Sequence, residues 1–207
     1  MMNMINAFRA PSRAVAEWFC VGPTSSFPNI ETGDDSLTQP RTCAPKTPVT
    51  SDDNALAATK PGCKVFHVSS TDTSQRTELS LTDDAAAPDE SSADIGPQAD
   101  LSDQVLVFQY KGKFHAIDNK CPHSSFPLFK GVPFDIEDFG IVLSAGITCP
   151  KHGWSFDLFS GMADRGNYKL KVWEVQLRDV ANKAVTDDTG KGKEEQEVWV
   201  RRKQRMG

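Results

Sequence analysis

Cysteine and histidine are scarce in this sequence, with 5 and 4 residues among 207. An odd number of cysteines in a chain of this length does not indicate the disulfide framework of a small secreted protein. No apolar run approaches the roughly 18 residues that a membrane-spanning helix needs, so no membrane span is predicted. The 23 Lys and Arg residues do not exceed the 28 Asp and Glu residues, and the resulting net charge of −5 argues against a nucleic-acid-binding protein.

The first 17 residues lack the long apolar core of a secretory signal peptide. They contain Arg9 and Arg13, and no acid precedes Glu17, so a short mitochondrial presequence is one interpretation. The other is a flexible polar N-terminus. We predict a cytoplasmic protein, with the mitochondrial matrix as the alternative location.

Two long stretches contain little that could form a core. Residues 69–104 hold nine acids, one base (Arg76) and no aromatic residue, and residues 31–62 are polar and interrupted by prolines. Such segments cannot bury enough apolar surface to offset the entropy of ordering. We therefore predict disordered insertions at about 31–62 and 69–103.

The apolar runs that remain have the alternation and composition of β-strands, and no segment longer than ten residues has a convincing helical period. Lys111, Gly112 and Lys113 form a tight turn between two of these runs and predict a β-hairpin. We expect an all-β fold, with one domain at 18–202 between a flexible N-terminus (1–17) and a tail (203–207). The predicted strands are 18–22, 63–68, 104–110, 114–117, 140–148, 169–177 and 197–202.

Two short motifs carry the candidate chemistry. The first box begins Cys121-Pro-His123 and continues to Leu128, and the second box begins Cys149-Pro-Lys-His152 and continues to Asp157. Thiolate and imidazole are the side chains that bind borderline and soft transition metals. Each box follows a predicted strand, so both pairs of ligands can project from loop tips that the sheet supports.

Two kinds of metal site use two cysteines and two histidines. Structural zinc sites usually place like ligands together, as C-x₂₋₄-C and H-x₃₋₅-H. In a Rieske-type [2Fe–2S] cluster, two cysteines hold one iron and two histidines hold the other. Each box here combines one cysteine with one histidine, which fits the zinc spacing poorly and favours the iron–sulfur cluster.

On these motifs the sequence resembles Rieske domains of the soluble ferredoxin or oxygenase type, and its long N-terminal half resembles soluble fungal Rieske-type proteins. The resemblance implies an antiparallel β-sandwich or barrel that carries a small cluster-binding subdomain of two loops. It also implies a [2Fe–2S] cofactor. The implied ligands, which are both the metal and the cofactor-binding residues, are Cys121, His123, Cys149 and His152.

The sequence departs from the family pattern in the first box and after it. Ser125 occupies a position that is commonly Gly in the family. The 25 residues between His123 and Cys149 exceed the usual gap, and we expect the extra segment, around 131–143, to form a longer loop beside the cluster.

Comparison with respiratory-chain Rieske proteins implies a low reduction potential. Those relatives carry an additional disulfide where this chain has Phe126 and Lys151, and cluster-bonding hydroxyls where it has Trp154 and Phe156. Rieske potentials span about −150 to +300 mV. Without the hydroxyls we expect the lower part of that range.

The leading functional hypothesis is a carrier that transfers single electrons between a reductase and an acceptor, neither of which the sequence identifies. Alternatives are a small subunit of a larger, nitrite-reductase-like oxidoreductase and a sensor of redox state or iron. A stand-alone oxygenase is not expected, because its mononuclear iron needs two histidines and a carboxylate in addition to the four cluster ligands. We interpret the remaining histidines, His67 and His115, as half-buried strand residues.

Overall fold

A computed structural model describes residues 17–31, 36–38, 40–42, 59–69, 76–81, 101–179 and 195–203. Their regular structure is β-strand, together with two short 3₁₀ turns at Thr24–Ser26 and Leu128–Lys130, so the all-β prediction is confirmed. The strands are β1 (Phe19–Pro23), β2 (Asn29–Ile30), β3 (Pro40–Thr42), β4 (Thr59–Pro61), β5 (Cys63–Val68), β6 (Arg76–Leu79), β7 (Gln104–Tyr110), β8 (Lys113–Asp118), β9 (Val132–Asp138), β10 (Ile141–Cys149), β11 (Trp154–Asp157), β12 (Trp173–Asp179) and β13 (Gln196–Arg202).

Strand β7 is the centre of the largest sheet, in which β5 and β8 flank it antiparallel, β6 pairs with β5, and the short β2 runs parallel to it. Its side chains alternate between two apolar cores. Val105 and Val107 pack in one core, with the sheet β1-β13-β12, and Leu106 and Phe108 pack in the other. Cys121 and Cys149 belong to the second core, which therefore supports both boxes.

The predicted hairpin of β7 and β8 is present. Lys111 and Gly112 form its two-residue turn and both have positive φ, 46° and 77°. A type I′ turn requires this conformation, and glycine adopts it without strain. The strands predicted at 63–68 and 104–110 are present with those ends, and the other predicted strands are present with shifted ends; β12, for example, begins at Trp173 rather than at 169.

The expectation of a longer loop at 131–143 is wrong. This segment forms β9, and β9 pairs antiparallel with β10 across a second turn at Phe139 and Gly140. The alternation of Phe134 and Ile136 with acids is a strand pattern that the many charges obscured. Strand β9 is an edge strand, which accounts for the tolerated proline at 133.

The predicted disorder is also wrong for parts of both insertions. Leu37 is fully buried, and its backbone N–H donates to the carbonyl of Gly131. Strands β3 and β4 pair with each other, and β6 adds to β5 with Leu79 buried. A few apolar side chains were therefore sufficient to attach these segments to the core. The remainder of both insertions, Cys43 and most of the predicted N-terminus and tail lie outside the described residues.

No helix in the described ranges is long and apolar enough to cross a membrane. The domain boundaries at 18 and 202 stay predictions.

Candidate metal centre

The two boxes begin where strands end, and this brings their cysteines together. Cys121 lies three residues after β8, and Cys149 is the last residue of β10. Both side chains are buried, with 0% and 1% exposure, and the two thiols are close enough for Cys121 to affect the pKa of Cys149. The sheet thus supplies a rigid base on which one cysteine from each loop meets the other.

Both boxes turn with the same backbone hydrogen bond. The N–H of Ser125 donates to the carbonyl of Cys121 at 2.8 Å, and the N–H of Gly153 donates to the carbonyl of Cys149 at 2.9 Å. Ser125 and Gly153 both adopt the left-handed conformation, with φ of 51° and 66°. The family's glycine at position 125 is thus explained by the turn, which a serine here adopts at a cost in strain.

The two histidines, one from each box, also lie close to each other. Their ring centroids are 5.2 Å apart. His123 stacks on Trp154, with centroids 4.4 Å apart and planes 21° apart. The ring of Tyr168 packs almost perpendicular to the rings of His123 and Trp154. His152 is exposed, whereas His123 is half-buried. The two rings thus differ in access to solvent.

The buried atoms at this site fit a metal cluster. Nδ1 of His123 is buried and has no hydrogen-bond partner among the described residues. Leaving a buried nitrogen unpaired is costly, and a metal bound through this nitrogen would remove that cost. No three His, Cys, Asp or Glu side chains converge on one point in the described ranges. A binuclear cluster does not need such convergence, because each iron takes only two protein ligands.

Burial, together with the neighbouring Cys121 thiol, raises the pKa of Cys149 above its ordinary value. The backbone amide of Lys151 and the hydroxyl of Ser124 act in the opposite direction, and Ser124 Oγ lies 4.0 Å from Cys149 Sγ. Metal ligation deprotonates such thiols. The sequence did not reveal Ser124 as a neighbour of the sulfur, because it lies in the other box.

The first box is held by a fully buried asparagine. The side chain of Asn119 donates to Gln104 Oε1 and accepts from the backbone N–H of Phe129, each at 2.8 Å. The backbone carbonyl of Asn119 accepts from the N–H of Leu128. Gln104 is also buried. This network was missed, since Asn119 precedes a loop and looks like an ordinary turn residue.

The second box is held by half-buried and exposed side chains. The hydroxyls of Thr148 and Ser155 bond to each other at 2.9 Å across the β10–β11 hairpin. Arg165 donates to the carbonyl of Gly153 and lies over the ring of Trp154, 5.1 Å from its centroid. Arg165 and Tyr168 were also missed, since they follow the second box on a separate loop.

The structure also locates the other residues considered in the sequence. His67 and His115 are half-buried on β5 and β8, on opposite sides of β7, and neither is a residue of a box. Burial first, then Lys113, lowers the pKa of His115 to about 4. Phe126 and Lys151 lie close together, with Nζ 5.9 Å from the ring centroid.

In sequence, the chain is similar to known iron–sulfur proteins. The Rieske [2Fe-2S] domain model matches residues 82–174. The chain is 30% identical over 93 residues to the methanesulfonate monooxygenase ferredoxin subunit of Methylosulfonomonas methylovora, covering 42% of this chain and 69% of that protein. It is 41% identical over 88 residues to mouse apoptosis-inducing factor 3, but these represent 39% of this chain and only 13% of that protein.

A solved complex of reduced oxygenase and oxidized ferredoxin in carbazole 1,9a-dioxygenase contains a chain with 22% identity and a TM-score of 0.32. The match covers 49% of this chain and 75% of that one.

Proposed function

Because the chain belongs to the Rieske [2Fe–2S] domain family, we propose that its two boxes supply the four cluster ligands. Cys121 and Cys149 would hold one iron, and His123 and His152 the other. The observation that carries the assignment is that each box supplies one buried thiol and one imidazole, with the two imidazole rings 5.2 Å apart and Nδ1 of His123 buried and unpartnered among the described residues. When bound, the cluster supplies reversible one-electron chemistry.

The function that this site supports best is that of a ferredoxin-like carrier of single electrons. Its protein groups bind and shield the cofactor: Trp154 and Tyr168 cover His123, while His152 stays exposed. An exposed ligand edge is a short route to a partner. The partners would be a reductase and an electron acceptor, as the name of the methanesulfonate monooxygenase ferredoxin subunit illustrates for that relative.

A single domain at 18–202 in the cytoplasm is part of the same proposal. A small subunit of a larger oxidoreductase is the second candidate, because the ferredoxin relative is itself named as a subunit.

The surroundings of the sulfurs favour a low reduction potential. Trp154 and Phe156 offer no hydroxyl to the cluster, and the one hydroxyl near a ligand sulfur in the described residues is that of Ser124, at the long distance of 4.0 Å. Hydrogen bonds to cluster sulfurs raise the potential, so few bonds leave it low. We expect a midpoint in the lower part of the range from about −150 to +300 mV.

Iron and sulfide analysis followed by a redox titration tests the proposal. We expect two irons and two sulfides per chain and a reversible one-electron step. Cys121→Ser should abolish the cluster, whereas Cys20→Ser, a half-buried cysteine outside both boxes, should keep it. A zinc-loaded protein would overturn the assignment, and a midpoint above about +150 mV would contradict the expected low potential.

A further inference from the structure

Basic side chains are concentrated around the two boxes. The segments that form the boxes and the loop after them, 120–131 and 149–171, contain six bases and two acids. Two of the bases are ion-paired, Arg165 with Asp164 and Lys171 with Asp118. The other four have no ion pair in the described part of the chain. They are Lys120, Lys130, Lys151 and Lys169.

The other end of the molecule has the opposite character. Residues 132–148, which form the β9–β10 hairpin up to the second box, contain three acids and no base. Strand β10 separates Ile141 at the hairpin tip from Cys149 by eight residues, or about 26 Å. The hairpin acid nearest the site, Asp135, lies opposite Ala145, four residues or about 13 Å from Cys149, and is paired with Lys111. Both distances exceed the Debye length of about 8 Å at physiological salt, so the hairpin acids are largely screened from the site.

The basic groups lie beside the exposed ligand. Lys151 immediately precedes His152 and is itself exposed. Arg165 is bonded to the carbonyl of Gly153, the residue after His152, and about half of its side chain is exposed. Asp157, the nearest acid in sequence, is half-buried and accepts from the backbone N–H groups of Phe159 and Ser160. Since Arg165 is paired with Asp164, the exposed Lys151, which has no ion pair in the described part of the chain, is the main positive charge next to His152, although the whole chain carries −5.

We propose that the surface around His152, with Lys151 beside the ligand and the exposed Arg165 and Lys169 on the loop after the second box, docks an acidic surface of the redox partner. This inference rests on the proposed function, in which one electron leaves or enters at the His152 edge and no bond is formed or broken. Charge complementarity at such a rim raises the rate of encounter and orients the partner. The proposal predicts that anions are attracted to this surface, although the net charge of the whole chain is negative.

Two redox-inert chromium ions of opposite charge can probe this field without any electron transfer. Hexacyanochromate(III) and hexaamminechromium(III) both speed the magnetic relaxation of a nearby paramagnetic centre. EPR power saturation of the reduced protein measures the effect. We expect the anion to raise the half-saturation power severalfold more than the cation at low ionic strength, and high salt to remove most of the difference.

Two lysine variants provide the matched comparison. Lys151→Gln should reduce the effect of the anion and increase that of the cation. Lys113→Gln removes the same charge at the opposite end of β8 from the first box, and should change neither. If a substitution changed only the reduction potential, the effect of each chromium complex on the half-saturation power would be the same in the variant as in the unsubstituted protein.

A larger effect of the cation, or equal effects of the two ions, would overturn the inference while leaving the carrier function intact. A reduced protein without a cluster signal would overturn the proposed function itself, and this inference with it.

Discussion

The first and second boxes place their ligands with the same backbone turn but are anchored by different means. In each, an N–H four residues after the cysteine returns to the cysteine carbonyl. The first box is anchored by the buried pair of Asn119 and Gln104, the second by the half-buried pair of Thr148 and Ser155. The two boxes therefore share one loop geometry, but different hydrogen bonds stabilise it: buried ones in the first box and half-buried ones in the second.

Loss of either histidine ligand should have the largest effect, and an equal one in both boxes. His123→Ala and His152→Ala should each abolish the Rieske-type EPR signal, because each leaves one iron with a missing ligand. His67→Ala, which changes a half-buried histidine outside the boxes, should retain it. Retention of a normal signal in either box variant would show that the boxes do not contribute equally.

Replacing the anchoring residue of each box should lower the free energy of unfolding by different amounts. Asn119→Ala removes the partner of the Phe129 N–H and of Gln104 and should cost about 3 to 4 kcal/mol, since each buried group left unpaired costs about 1–3 kcal/mol. Thr148→Val affects only a half-buried hydroxyl pair and should cost about 1 kcal/mol or less. Denaturant unfolding measures both, and equal losses would contradict the difference in anchoring.

A pH effect on stability should come from outside both boxes. Burial, with a smaller contribution from Lys113 and opposed by Asp157, lowers the pKa of His115 from 6.5 to about 4. The unfolded chain therefore binds more protons between these values, and stability should fall as pH decreases from about 6.5 to 4. We expect a loss of about 2 kcal/mol after allowance for partial exposure.

Unfolding measured across this pH range checks that effect. His115→Gln should flatten the dependence between pH 6.5 and 4. An unchanged dependence in that variant would assign it to another group.

The left-handed residues should give the smallest effects, with opposite signs. Gly153→Ala places a side chain at φ 66° and should destabilise by about 1 kcal/mol, although its Cβ would meet only Arg165 Nη2, at an ordinary contact distance of 4.0 Å. Ser125→Gly relieves the same strain at φ 51° and should stabilise by about 0.5 kcal/mol, since glycine's unfolded-state entropy offsets part of the gain. Thermal unfolding of the two variants measures the pair, and destabilisation by both would disprove the shared turn.

Local pattern was sufficient to predict most of the fold, whereas long-range packing was not. Alternation along β5 and β7 and the turn at Lys111 and Gly112 are encoded within a few residues. Burial of Leu37 against Gly131 depends on residues about 90 positions apart, and composition alone suggested disorder there. The acids of β9 similarly concealed a strand whose partner is needed to recognise it.

The candidate ligands were predictable because each box is short and contains both ligand types. Their support was less so. Asn119, Arg165 and Tyr168 act on the boxes through the tertiary fold, and residue type alone does not distinguish them from ordinary loop residues.

The central claim is that one cysteine and one histidine from each box hold a [2Fe–2S] cluster. Pulsed EPR of the reduced protein tests it most directly, because nitrogen ligands produce hyperfine couplings that thiolate ligands do not. We predict two strongly coupled nitrogens, which His67→Ala leaves unchanged and which neither His123→Ala nor His152→Ala retains. A reduced cluster without nitrogen coupling, or couplings that survive both box variants, would contradict the assignment.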